Sequence, residues 1–121
     1  MKWAYWIVAS LLALFYVYAG GIKVVQSKDR LRPMMQWVDS VPLSLTRAVG
    51  VLEVLAAFGL ILPPLTGIAP ALSLAAAIGL ILIQIGAIAL HLSRGEARVI
   101  GLNVVLLALL GIAAWLSTIW L

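Results

Sequence analysis

The chain has 121 residues, of which 65% are hydrophobic and 10% charged, against about 45–50% apolar and about 25% charged in a soluble domain. At this length there is room for one domain and no way to hide so much apolar surface from water, so lipid is the expected solvent. The net charge of +4 does not read as nucleic-acid binding, because the basic residues lie in loops between apolar spans, and the absence of cysteine excludes disulfides, thiolate catalysis, Fe–S clusters and thiolate zinc sites.

A helix needs about 20 apolar residues to cross about 30 Å of hydrocarbon, and four stretches qualify: about 3–25, 45–62, 70–92 and 99–121. The first carries Gly20, Gly21 and Lys23 near its end. Its beginning, Lys2 followed by an apolar run and Val17-Tyr18-Ala19-Gly20, resembles a secretory signal peptide with a small-residue cleavage site. The run exceeds the usual apolar region of about 7–15 residues, which favours a retained span. In the loop over 26–44, Pro33 can open a short helix on which Met34, Trp37, Val38 and Val41 share one face. Such a segment lies in the interface and does not cross it, as an anchor or as a lid over a site. The second span is expected to stop at Pro63-Pro64. The third opens at Pro70, a good first-turn residue, and the fourth follows a short loop over 93–98. Short connections make neighbouring helices antiparallel, so the expected fold is an all-α membrane protein, a single domain with four transmembrane helices in an up-down-up-down bundle.

Lys23, Lys28, Arg30, Arg32, Arg47, Arg94 and Arg98 fall on the side reached after the first helix, and Lys2 alone falls on the other. Short loops rich in Lys and Arg stay in the cytoplasm. Loops 26–44 and 93–98 are therefore expected inside and both termini outside, in a cell inner (plasma) membrane. The outer side carries an aromatic belt instead, from Trp3, Tyr5, Trp6, Trp115 and Trp120.

Ionisable groups inside a membrane are rare, costly and usually functional. Glu53 is the clear case, about 12 Å along the second helix, and Thr46, Gly50 and Ala57 share its face. Small residues there let another helix approach, so Glu53 is expected to point into the bundle. Gln84 and His91 lie seven residues apart on one face of the third helix, Asn103 lies in the first turns of the fourth, and Lys23 in the last turns of the first. Chain direction brings all five into the same half of the bilayer. The set reads either as a polar pocket or as a neutralised pair with interhelical hydrogen bonds, each worth about 0.6 kcal/mol. Arg47, in the first turn of its helix, opposes the macrodipole, and a lipid phosphate or another helix is its expected partner. No metal-ligand spacing, glycine-rich phosphate loop or Ser/His/Asp set is present.

Ala19-Gly20-Gly21-Ile22-Lys23, then Arg47-Ala48-Val49-Gly50-Val51-Leu52-Glu53, Leu60-Ile61-Leu62-Pro63, His91-Leu92-Ser93-Arg94-Gly95-Glu96 and Asn103 follow one another in order. In this order and spacing the chain resembles the DoxX-like family of small four-helix bacterial membrane proteins. The resemblance covers nearly everything from Ala19 onward. It implies functional weight at Lys23, Arg47, Glu53, His91 and Asn103, and a link to membrane redox complexes that handle quinone. The expected function is a subunit of a quinone-linked oxidoreductase system with no cofactor of its own beyond quinone contact, working with a redox partner subunit or a larger membrane complex. Membrane lipid is a further partner and a homo-oligomer is compatible. A non-catalytic accessory or assembly subunit is the alternative, and a small transporter a third reading.

Overall fold

The computed structural model describes residues 2–26, 42–95 and 100–120. Within them the chain forms α1 (Lys2–Val25), α2 (Leu43–Thr66), α3 (Leu72–Ser93) and α4 (Gly101–Ser117), and a 3₁₀ turn over Thr118–Trp120 prolongs α4. All four helices are long and apolar enough to cross a membrane, and no strand occurs among the described residues. The interfacial segment expected around 33–41 lies outside them.

Each helix buries a stripe whose members alternate four and three residues apart. On α1 the stripe is Tyr5, Ala9, Leu12, Tyr16, Ala19 and Lys23, and on α2 Thr46, Gly50, Glu53, Ala57 and Leu60. On α3 it is Ser73, Ala77, Leu80 and Gln84, and on α4 Leu106, Leu110, Ala113 and Ser117. A seven-residue apolar repeat of this kind keeps the seam facing its partners when helices cross at about +20°. The other faces, with Leu55, Phe58, Leu82 and Val105, are exposed, as suits helices whose outer solvent is hydrocarbon. The α1–α2 contact is the most extensive, α3–α4 and α2–α3 follow, and α1–α4 closes the ring.

Glycine explains why α1 and α2 approach most closely. A methyl group built on Gly20 would lie 2.6 Å from the Gly50 carbonyl oxygen, and one built on Gly50 would lie 2.7 Å from the Gly20 carbonyl oxygen. Any side chain at either position forces the helices apart.

The expectation that Pro63-Pro64 ends the second helix is corrected: α2 continues through both prolines to Thr66. Pro64 has no N–H to give the Leu60 carbonyl four residues back. That carbonyl instead accepts the Tyr5 hydroxyl of α1, so the break in the ladder is satisfied from outside. The helix then closes through Gly67, which takes the left-handed conformation (φ 76°) and donates its N–H to the Pro63 carbonyl at 3.0 Å. The third helix begins at Leu72, slightly later than expected. Pro70 belongs to the preceding turn, where its carbonyl accepts both the Ser73 N–H at 3.1 Å and the Ser73 hydroxyl at 2.9 Å.

Candidate functional site

The glycine contact delivers the last turn of α1 against the middle of α2. Lys23 and Glu53 follow Gly20 and Gly50 by three residues each, and they meet: Lys23 Nζ donates to Glu53 Oε1. The carboxylate is 2% exposed and the lysine 8%. Taking either charge out of water alone is expensive, and the pair makes the burial tolerable without making it strongly stabilising.

Arg47 joins them from the first turn of α2. Its Nη1 donates to the Lys23 carbonyl at 2.9 Å and to the Val24 carbonyl. The last carbonyls of a helix lack intrahelical donors and carry partial negative charge. The guanidinium thus opposes the dipole of its own helix and complements that of α1, which it caps. Of the two expected partners for Arg47, the structure supplies the neighbouring helix.

A second group crosses the bundle beside this pair. Asn103 Nδ2 donates to Gln84 Oε1 at 2.9 Å, and Gln84 Nε2 donates to the Tyr16 hydroxyl at 2.8 Å. The row links α4, α3 and α1. Tyr16 is wholly buried and lies within range of the Glu53 charge. His91 follows Gln84 by seven residues and stands half-buried in the last turn of α3. Thr46, wholly buried two turns before Glu53 on the same stripe, has a hydroxyl with no hydrogen-bond partner.

The sequence candidates therefore fall into two sets, Lys23–Glu53–Arg47 and Gln84–Asn103, with His91 nearer the helix end. Tyr16 joins the second set and was missed, because a tyrosine in an apolar run reads as core or belt. The signal that finds it is its place seven residues from both Ala9 and Lys23, on the buried stripe. Among the described residues no group of three or more His, Cys, Asp or Glu side chains stands together for a metal ion.

Polar groups also gather at the opposite end. There Ser73 of α3 and Ser117 of α4 stand beside the Tyr5 hydroxyl. Each serine donates to its own helix, Ser73 to Pro70 and Ser117 to the Ala113 carbonyl at 2.6 Å. The Trp120 ring packs edge-on to Tyr5 at 5.3 Å, with the Lys2 ammonium 5.9 Å above it.

The profile of the DoxX-like family matches residues 7–113. The chain belongs to the DoxX-like family. The matched span contains Lys23, Arg47, Glu53, Gln84, His91 and Asn103, together with Tyr16 and Thr46; Tyr5, Ser117 and Trp120 fall outside it. The comparisons with curated proteins and with solved structures found no match.

Proposed function

We propose that this DoxX-like protein is a membrane subunit of a quinone-linked oxidoreductase system, whose polar half receives the quinone headgroup at the cytoplasmic face of the inner (plasma) membrane. The observation that carries this reading is a buried hydroxyl without a partner, at Thr46, among charged side chains; the other buried group of this kind among the described residues, the Trp120 indole N–H, lies at the far, aromatic end. The Thr46 hydroxyl is buried with no hydrogen-bond partner. Buried polar atoms are satisfied in the great majority of cases, so an unsatisfied hydroxyl beside charged groups supports a ligand there. On the same side of the bundle stand two cations and one carboxylate, Lys23, Arg47 and Glu53.

These groups fit a quinone headgroup, which needs hydrogen-bond partners for two oxygens and a charged group near the interface. Bound there, the quinone would supply the electron-accepting chemistry, with a partner subunit delivering electrons. The chain's own part is to orient the headgroup through Thr46, Asn103 and His91 and to hold charge beside it through Lys23 and Glu53. The bias of basic loops to one side supports a cytoplasmic assignment for that half.

A non-catalytic accessory subunit is the second reading, and one observation favours it: Lys23 pairs with Glu53, and Tyr16, Gln84 and Asn103 hydrogen-bond among themselves. The test is to extract the protein from native membranes into lipid nanodiscs and quantify bound quinone, alongside Glu53→Gln and His91→Ala. Quinone held near one per chain, and lost in Glu53→Gln with melting temperature unchanged, supports the site. Quinone no higher than in bulk lipid, with a dehydrogenase still copurifying, would leave the accessory reading.

A further inference from the structure

Among the described residues Thr46 carries the one buried hydroxyl without a hydrogen-bond partner. Ser73 and Ser117 are as deeply buried, but they donate to carbonyls three and four residues back along the chain. The carbonyl four residues before Thr46 is that of Pro42, and it already accepts the Leu45 N–H at 3.0 Å and the Thr46 N–H at 3.3 Å. Both of its lone pairs are taken, so the usual local outlet is closed to the Thr46 hydroxyl.

Lys23 starts within one helical turn of it. A methyl group built on Gly50 would meet the Lys23 Cβ at 2.8 Å, so the lysine stem leaves α1 beside Gly50, where no side chain obstructs it. Thr46 and Glu53 flank Gly50 on the same stripe of α2, four residues towards the basic end and three residues away from it. Residues so spaced are neighbours, about 5–6 Å apart at Cβ, and the flexible four-carbon stem of lysine reaches either one. The structure shows the inward choice, with Nζ on Glu53. That choice depends on charge. Once the carboxylate takes a proton, the ammonium loses the charge that balances it there, and a lysine near a helix end then runs its stem towards the interface. Thr46 is the next side chain on the stripe in that direction. We infer that the Thr46 hydroxyl is a second seat for the Lys23 ammonium, occupied when Glu53 is neutral, which makes Lys23 a proton-sensitive switch between the middle of the bundle and its basic end. Arg47 is held by the last carbonyls of α1. The other ionisable groups on the helices around the switch are Tyr16 of α1 and His91 and Arg94 of α3, and α4 brings none. Under the quinone reading the outward position also closes Thr46 to a headgroup, but the switch itself needs no ligand.

Two measurements on the full chain in phosphatidylcholine nanodiscs test it. In the first, Thr46→Val is made in the wild type and in Glu53→Gln, which keeps the shape of the carboxyl without its charge, and unfolding is followed. In the wild type the substitution is expected to leave the unfolding constant unchanged or to lower it, because it removes an unsatisfied hydroxyl. In Glu53→Gln it is expected to raise the constant about tenfold, the worth of a hydrogen bond to a charged group. In the second, a water-soluble amine-acylating ester is added and modification is located by mass spectrometry, with Lys2 as internal reference. Lys23 is expected to react severalfold faster in Glu53→Gln than in the wild type. An effect of Thr46→Val that is the same in both backgrounds, or a Lys23 equally slow in both, overturns the inference. The unfolding comparison repeated in chains with Glu53 intact, between neutral and acid pH, gives the same decision should Glu53→Gln fail to fold. Neither measurement involves quinone, so the quinone reading stands or falls separately.

Discussion

The two ends of the bundle bury polar groups by different means. At the aromatic end the hydroxyls answer backbone acceptors, Tyr5 giving to Leu60, Ser73 to Pro70 and Ser117 to Ala113, while the buried Trp120 N–H has no partner. The largest of these repairs a carbonyl that Pro64 left without its helical donor. At the basic end side chains pair across helices and include charge, Arg47 also gives to the last carbonyls of α1, and the Thr46 hydroxyl is left without a partner. The first arrangement is a lock that closes the fold. The second holds a buried charge pair at a cost in stability, which is what sets it apart from a lock.

That contrast is open to attack by mutation. The largest effect is expected from Lys23→Met, which strands a buried carboxylate; loss of a buried partner costs about 3–5 kcal/mol, readable from unfolding in nanodiscs. A cost below that of Tyr5→Phe would reverse the ranking of the two ends. Next come Gly20→Ala and Gly50→Ala, each expected to destabilise by about 1–3 kcal/mol through overpacking. Both should also weaken Lys23–Glu53, since the glycine contact sets their separation; a Lys23→Met cost left unchanged in either background would argue against it.

Tyr5→Phe is expected to cost about 1–2 kcal/mol, above the average of about 0.6 kcal/mol for hydrogen bonds between membrane helices, because the Leu60 carbonyl has no substitute donor. In a Pro64→Ala background the helix regains that N–H, and most of the Tyr5→Phe cost should vanish. A double-mutant cycle with no coupling would show that Tyr5 acts by packing alone. The smallest effect on stability is expected from Asn103→Ala, about 0.6 kcal/mol. A much larger loss would mark the row as a lock like the one at the far end.

Much of the fold was legible because hydrophobic length and loop charge are local properties of sequence. The buried position of Glu53 was legible too, from Thr46, Gly50 and Ala57 at helical spacing around it. The path of α2 through Pro63 and Pro64 was not. Its acceptor is repaired by Tyr5, 55 residues away in sequence, and no local rule foresees a donor that distant. Tyr16 was hidden for a related reason: its role depends on which face of α1 meets Gln84, and that is decided by packing. The capping role of Arg47 lay between these cases. The conflict with its own helix dipole was visible, whereas its resolution on Lys23 and Val24 needed the antiparallel neighbour in place.

The central claim is that the basic half is kept for a ligand and not for the fold. Replacing the buried pair with packed apolar residues, Lys23→Met together with Glu53→Leu, separates the two roles. Such replacements are often neutral or stabilising by about 1–4 kcal/mol. The account predicts a double variant at least as stable as wild type that has lost its bound quinone. A double variant that keeps the quinone would contradict it.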